Sequence, residues 1–130
     1  MYPMVARDAT PSPRRSGRQG PDRNSQLLKG VLDMCLLAVI AEEPSYGYEM
    51  VRKLTNRGLD LVSEGAIYPV LSRLQRNGLI DGYLVASPEG PARKYYRIEK
   101  KGMTALGEWS NAWHELSKGV GNVLGGETDE

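Results

Sequence analysis

Proline and glycine divide this 130-residue chain into short segments, and the periodicity of the apolar residues changes between segments. The breaks fall at Pro44, Gly58, Asn77-Gly78 and residues 87–91. Before Gly78 the apolar residues recur at helical spacing, whereas after it two runs alternate apolar and polar residues as strands do. The pattern therefore predicts several short elements, mostly helical.

Three helices are predicted at residues 26–42, 46–56 and from Ser63 or Glu64 to about 76. The first is apolar around most of its girth, so we expect it to be buried on several sides, with Cys35 as an ordinary core residue. Ser45 is the predicted N-cap of the second helix. The predicted inward residues of the second and third helices are Tyr48, Val51, Leu54, Ile67, Val70, Leu71 and Leu74.

Two strands are predicted at residues 79–86 and 93–98, followed by a last helix at 100–124. On the second strand, Tyr96 and Ile98 are expected to face inward, with Tyr95 on the opposite face between Arg93 and Arg97. Three helices followed by a hairpin is the order of a winged helix-turn-helix. The predicted fold is mainly α with a small β-hairpin: a winged helix-turn-helix plus a C-terminal dimerisation helix.

Charge and composition divide the chain into four predicted parts. Residues 1–24 carry five arginines and two aspartates without an apolar period, so we interpret them as a disordered basic arm, either a solvated tail or a DNA-touching arm. Residues 25–98 form the predicted winged domain, 99–124 the dimerisation helix and 125–130 an acidic tail. Because residues 99–130 hold three lysines against six acids, a polyanion should meet the front and middle of the chain.

The scarcity of reactive side chains excludes several classes of protein. One histidine and one cysteine allow no internal disulfide and no zinc cage of protein ligands, and the same scarcity counts against a histidine-dependent triad. The longest apolar run, residues 34–41, is far shorter than the ~20 residues of a membrane span, and residues 1–26 hold no apolar region typical of a leader. We therefore expect a cytoplasmic protein that is not an enzyme and holds no cofactor or metal.

The third helix has the residues that a recognition helix needs. Small and polar groups lie opposite its apolar stripe, and Ser63, Tyr68, Arg73 and Arg76 offer hydroxyl or guanidinium groups to bases and phosphates. An ordinary solvated helix face would also fit this pattern. Arg93-Lys94 follows the hairpin tip, where a wing would lie beside a DNA backbone or minor groove, although a charged edge strand is the alternative.

Four stretches together resemble the PadR-type transcriptional regulators. They are Tyr46-Gly47-Tyr48, Gly65-Ala66-Ile67-Tyr68-Pro69-Val70-Leu71, Gly78-Leu79-Ile80, and Gly90-Pro91 with Arg93-Lys94-Tyr95-Tyr96. The resemblance covers about residues 27–124 and implies a homodimeric winged-helix repressor of bacterial type on an inverted-repeat operator of double-stranded DNA. Residues and resemblance together give the expected DNA contacts Tyr46, Ser63, Ala66, Tyr68, Arg73, Arg76, Arg93 and Lys94.

Two positions depart from the family pattern. Glu99 stands where the family usually has a threonine that caps the last helix, so we expect this helix to start late or fray. Ser63-Glu64 stands where the family often has serine-proline, which leaves the fold intact and is expected to change contacts at the groove edge.

The last helix carries a heptad stripe, in which apolar residues are separated alternately by three and four positions. The stripe comprises Leu106, Trp109, Trp113, Leu116, Val120 and Val123. A second copy of the chain is the simplest cover for such a stripe, which makes it the predicted dimer interface.

Trp109 and Trp113 are also candidate ligand-binding residues. The chain resembles the short family branch with a single C-terminal helix, some of whose members bind flat aromatic drugs between paired tryptophans. Trp109 falls about where that branch carries its stacking tryptophan, which implies a planar aromatic effector at the seam. The alternative is that both indoles only fill the dimer seam.

The sequence thus predicts a DNA-binding regulator, a repressor that a ligand at the seam releases. A winged helix used for protein–protein assembly without specific DNA contact is the second interpretation, because the net charge is only +1. An enzyme ranks third, since no nucleophile and base are apparent.

Overall fold

The computed structural model describes residues 23–125, so most of the predicted basic arm and the last five residues of the acidic tail lie outside the described residues. The chain divides into two compact units, one ending at Val31 and one beginning at Leu32. In the first unit, helix α1 (Arg23–Lys29) has no buried residue. This helix includes Arg23 and Asn24, which the sequence prediction placed in the arm.

The second unit contains four helices and a small sheet. The helices are α2 (Leu32–Glu42), α3 (Gly47–Asn56), α4 (Glu64–Arg76) and α5 (Lys100–Val123). The strands β1 (Ser45–Tyr46), β2 (Ile80–Val85) and β3 (Arg93–Ile98) form an antiparallel sheet in the order β1-β3-β2. The mainly helical winged fold is therefore confirmed, with a third strand added to the predicted hairpin.

The single helix predicted at residues 26–42 is wrong, because α1 and α2 are separate helices. At the break, the N–H groups of Gly30 and Val31 donate to the carbonyls of Leu27 and Leu28, three residues back. Glycine disfavours a helix interior because it loses more backbone freedom than any other residue when it is ordered. The apolar periodicity continues through the break and therefore gave no sign of it.

The predicted start of α3 is also corrected. Ser45 is not its N-cap but belongs to β1, where its buried hydroxyl donates to the carbonyl of Glu43 (3.1 Å). Tyr46 is the N-cap. Tyr48 does not face inward: its side chain is 52% exposed, because Met50 lies one helical turn before Leu54 and takes the core position instead.

The core of the second unit lies where α2, α3, α4 and the inner face of the sheet meet. Its fully buried large side chains are Leu36, Leu37, Ile40, Met50, Ile67, Leu71, Leu74 and Ile80. Tyr96 is buried as expected, and burial raises the pKa of its phenol. Cys35 is half-buried, and burial followed by the charge of Asp33 raises the pKa of its thiol, which makes it a poor nucleophile.

The first turn of α5 is fixed to the junction between α4 and β2. The N–H of Glu99 donates to the carbonyl of Leu79 (2.9 Å), and α5 begins directly at Lys100. The expected late start is therefore wrong: the Glu99 side chain makes no capping bond, but its backbone is anchored. A Cβ on the buried Gly102 would collide with the Leu79 carbonyl oxygen and lie 2.8 Å from Cγ1 of Ile98.

Among residues 23–125, no single helix is both long enough and apolar enough to cross a membrane. Helices α1 and α2 meet these two criteria only if they are counted together across the break between them.

Candidate nucleic-acid interface

The outward face of α4 is set by its buried stripe. Ile67, Leu71 and Leu74 point into the core and Val70 is half-buried, so the other residues between them face solvent. Ser63 caps the helix, its Oγ accepting the N–H of Ala66 (3.3 Å), and both residues are exposed. The predicted contacts on α4 are all accessible: Ser63, Ala66, Tyr68, Arg73 and Arg76 are exposed.

Tyr68 connects this surface to the start of α3. Its phenol donates to the Glu64 carboxylate (2.9 Å), and burial followed by this hydrogen bond raises the pKa of the phenol. Tyr68 therefore stays protonated near neutral pH and remains a donor. Its ring lies so close to Gly47 that a Cβ there would collide with the phenol oxygen and lie 2.9 Å from Cζ.

Tyr46 lies beside Gly47, between α3 and the sheet. Its N–H donates to the Glu49 carboxylate in the first turn of α3 (3.3 Å). Its ring centroid is 5.2 Å from that of Tyr95, the residue opposite it on β3. Tyr46 is half-buried, and the structure places it at the junction of α3 and the wing.

The outer face of the sheet carries tyrosines on all three strands. Alternation along β2 and β3 puts Tyr83 and Tyr95 on this face, with ring centroids 6.1 Å apart. The central guanidinium carbon of Arg93 lies 4.6 Å from the Tyr46 ring centroid, and that of Arg97 lies 4.8 Å from the Tyr83 ring centroid. The predicted grouping of Tyr95 with the two arginines is confirmed.

Lys94 lies on the opposite face of β3 from Arg93. Its ammonium is 5.5 Å from the centroid of the buried Tyr96 ring. Its Cε would be 2.6 Å from a Cβ at Gly82, and Gln75 of α4 approaches the same point. Lys94 therefore folds over the inner face of the sheet toward α4, and the two neighbouring cations of the wing do not point the same way.

Four of the cations on α4 and the wing are not paired with acids in the described part of the chain. Within the described chain, Arg73, Arg76, Arg93 and Lys94 form no ion pair. The pairs that do form are Lys53–Glu43 (2.8 Å), Arg57–Glu42 (2.7 Å) and Arg97–Asp81 (3.2 Å). The Arg57 hydrogen bond lowers the pKa of Glu42. The interface therefore keeps its positive charge available for a polyanion.

Gly47 and Tyr83 were not among the predicted site residues, whereas Glu64 was expected at the groove edge. Gly47 lies against Tyr68 because of how α3 crosses α4, whereas Glu64 is four residues before Tyr68 on α4, a spacing that brings two side chains together on one helix. Tyr83 faces Tyr95 through the pairing of β2 with β3, and Tyr46 lies on the other side of Tyr95 because β1 also pairs with β3. A two-residue strand has no detectable periodicity, so the pairing of β1 could not be predicted from the sequence.

The predicted dimer stripe runs along α5. Leu106 and Trp109 are half-buried, whereas Trp113, Leu116, Val120 and Val123 are exposed, Leu116 at 62% and Val123 at 85%. The C-terminal half of α5 therefore exposes a contiguous row of apolar side chains, a feature typical of interaction surfaces. Among residues 23–125, no group of three or more histidine, cysteine, aspartate or glutamate side chains could hold a metal ion.

Comparison with known proteins gives one consistent result. The family model described as the transcriptional regulator PadR-like family matches residues 36–108, which include α4 and the whole wing. A solved PadR-like transcriptional regulator from Bacillus cereus is 50% identical, with a TM-score of 0.69 over 78% of this chain and 99% of its own. A solved Streptococcus transcriptional regulator is 40% identical, with a TM-score of 0.67 over 76% of this chain and 97% of its own. Transcriptional regulator Rv3488 of Mycobacterium tuberculosis is 35% identical over 91 residues, 68% of this chain and 78% of its own.

Proposed function

This chain belongs to the PadR-like family of transcriptional regulators, and we propose that it is a repressor that binds an inverted-repeat DNA operator as a homodimer. The family membership inferred from the motifs is confirmed, and with it a role in regulation and not in catalysis. Since a bacterial-type repressor acts on chromosomal DNA, its proposed location is the cytoplasm.

The observation that carries the proposal is the exposed, unneutralised face of α4 beside the wing. In helix-turn-helix proteins the first residues of the recognition helix reach base edges, which assigns that role to Ser63, Ala66 and Tyr68. Arg73 and Arg76 are placed to bind phosphates farther along α4. Arg93 and Lys94 of the wing, with Tyr46 at the start of α3, complete the set of residues proposed to form the DNA-binding surface.

Removal of charge from α4 tests this assignment. The protein is titrated against the duplex upstream of its own gene at several salt concentrations. Because each neutralised phosphate contributes about 0.9 to the slope of log affinity against log salt, Arg73→Gln and Arg76→Gln should each lower that slope by about 1 per protomer.

Arg57→Gln is the matched control, because Glu42 already holds that guanidinium. It should leave the salt slope unchanged. The assignment of α4 fails if Arg57→Gln lowers the slope as much as the α4 variants do.

Dimerisation is proposed to occur through the α5 stripe. The stripe comprises Leu106, Trp109, Trp113, Leu116, Val120 and Val123, and its exposed end is too apolar to suit a solvated helix. A two-fold dimer also matches an operator with two half-sites, because each protomer then places one α4 in the major groove.

A planar aromatic effector is proposed to bind at the seam between the two α5 helices of the dimer. Half-buried Trp109 and exposed Trp113 lie one helical turn apart, so a second copy would bring four indoles to one seam. A ligand stacked there would release DNA only if it favours the DNA-incompetent dimer.

Tryptophan fluorescence tests the effector proposal directly. A planar aromatic cation should quench wild-type emission in a saturable manner and lower operator affinity. Trp109→Leu is expected to weaken both effects, whereas a seam that only packs against itself would show no saturable quenching.

A protein–protein module is the second candidate, favoured by the net charge of +1. Such a module would show weak DNA binding with little salt dependence and no preference for the upstream duplex.

A further inference from the structure

Arg93 and Arg97 lie on the same face of β3 but differ in whether a carboxylate pairs with the guanidinium. Each guanidinium lies over a tyrosine ring, Arg93 over Tyr46 at 4.6 Å and Arg97 over Tyr83 at 4.8 Å. Arg97 also donates to the Asp81 carboxylate (3.2 Å). Among the described residues, Arg93 has no hydrogen bond or ion pair, so its N–H groups remain free for an anion.

Contact with an aromatic ring suits an arginine that must bind phosphate. The ring attracts one face of the cation without using its N–H groups, and the guanidinium still presents a fork that matches phosphate oxygens. Tyr46 therefore restricts the orientation of Arg93 while leaving its five N–H donors free.

The ring beneath Arg93 is itself fixed in place. Tyr46 packs against Tyr95, which packs against Tyr83. The next residue, Gly47, lies against Tyr68 of α4. Arg93 is consequently held in a fixed relation to the outward face of α4 although it belongs to the wing.

We infer that Tyr46 is a positioning residue, whose ring orients Arg93 toward a DNA phosphate beside α4, and that Asp81 keeps Arg97 out of that contact. The inference rests on the proposed function and assigns Tyr46 a role through Arg93 in place of a direct contact. It gives different roles to Arg93 and Arg97, which the sequence alone does not distinguish.

A double-mutant cycle on DNA affinity tests the inference with the full chain and the upstream duplex. Arg93→Gln should lower the salt slope by about 1 per protomer, because one phosphate contact is lost. Tyr46→Leu should weaken binding about threefold, the range expected of an exposed cation–π contact. In the Arg93→Gln background, Tyr46→Leu should cause no further loss.

Matched controls separate positioning from direct contact and from folding. Tyr46→Phe keeps the ring and should bind like wild type, whereas loss equal to that of Tyr46→Leu would show that the hydroxyl touches DNA and overturn the inference. Arg97→Gln removes the neighbouring cation, which Asp81 already holds, and should leave affinity and salt slope unchanged. Melting curves of each variant report any loss of folded protein.

Failure of the inference differs from failure of the proposed function. If wild type prefers the upstream duplex but Tyr46→Leu costs the same with and without Arg93, the positioning role alone is wrong. If wild type shows neither a preference for that duplex nor salt-dependent binding, both are wrong.

Discussion

Gly47 sets how closely the start of α3 can approach Tyr68. The phenol of Tyr68 occupies the space that any Cβ at Gly47 would need, while its hydroxyl is held by Glu64. A single hydrogen atom in place of a side chain at Gly47 thus determines where the aromatic ring of Tyr68, the one ring on α4, lies. This contact positions a proposed base-reading residue without itself touching DNA.

Gly47→Ala should therefore destabilise the protein and weaken operator binding. Inserting a methyl group into a packed contact costs about 1–3 kcal/mol, here divided between displacement of Tyr68 and strain at the start of α3. Urea denaturation measures the change in the free energy of unfolding.

Gly65→Ala is the control, because nothing lies within 4 Å of a Cβ at that position. It should leave stability unchanged or raise it by up to about 1 kcal/mol, since alanine favours helix. Equal destabilisation by both variants would contradict the role assigned to the contact between Gly47 and Tyr68.

The positions of single residues could be predicted from the sequence more reliably than the directions of their side chains. The types and approximate places of Ser63, Arg73 and Arg93 followed from helical and strand periodicity. The direction of Lys94 did not, because Gly82 opens space on the inner face and allows the side chain to fold back toward α4. Side-chain direction depends on neighbours that periodicity does not specify.

Among the elements, α5 packs against α2 and also makes a close backbone contact with the turn that follows α4. Gly102 lies against the Leu79 carbonyl, and that same carbonyl accepts the N–H of Glu99. The helix that carries the dimer stripe is thereby fixed to the turn that follows α4.

Gly102→Ala should destabilise this junction by about 1–3 kcal/mol, near the upper end because the obstructing atom is a backbone oxygen. Thermal unfolding at a fixed protein concentration measures the change. Gly107→Ala, with nothing within 4 Å of its Cβ, should instead stabilise α5 by up to about 1 kcal/mol. A neutral Gly102→Ala would refute the proposed junction.

Leu116→Lys should convert the proposed dimer into monomers, because it places a charge in the centre of the α5 stripe. Sedimentation equilibrium measures the mass of wild type and variant at equal concentration. Asn111→Lys adds the same charge to α5 away from the stripe and should leave the dimer intact. A monomeric wild type, or a Leu116→Lys variant with wild-type mass, would contradict the proposed interface.

The elements themselves were mostly predictable. Strong apolar periods identified α4 and α5, and the Pro-Gly turn identified the wing. Two features were missed for related reasons: β1 is too short to have a period, and the break between α1 and α2 lies within an unbroken run of helical spacing.

For the molecule as a whole, charge distribution matters more than net charge. The chain carries only +1, yet four cations on α4 and the wing form no ion pair within residues 23–125. Three other cations are paired with carboxylates, one of them on the outer sheet face. A nearly neutral protein can therefore bind a polyanion through its unpaired cations.

The salt dependence of DNA affinity measures how many of these cations bind phosphates. If the four cations of each protomer neutralise one phosphate each, a dimer contacts eight phosphates, and the slope of log affinity against log salt is at most about 7 in magnitude. A module that binds proteins would show a slope near zero.

The most direct measurement is a fluorescence anisotropy titration of the full chain. The probes are the duplex upstream of its own gene and a scrambled duplex of the same composition, each at two salt concentrations. We predict tighter binding to the upstream duplex than to the scrambled one and a steep loss of affinity with salt, with a slope of up to about 7 in magnitude. Equal binding to both duplexes, or affinity that salt leaves unchanged, would contradict it.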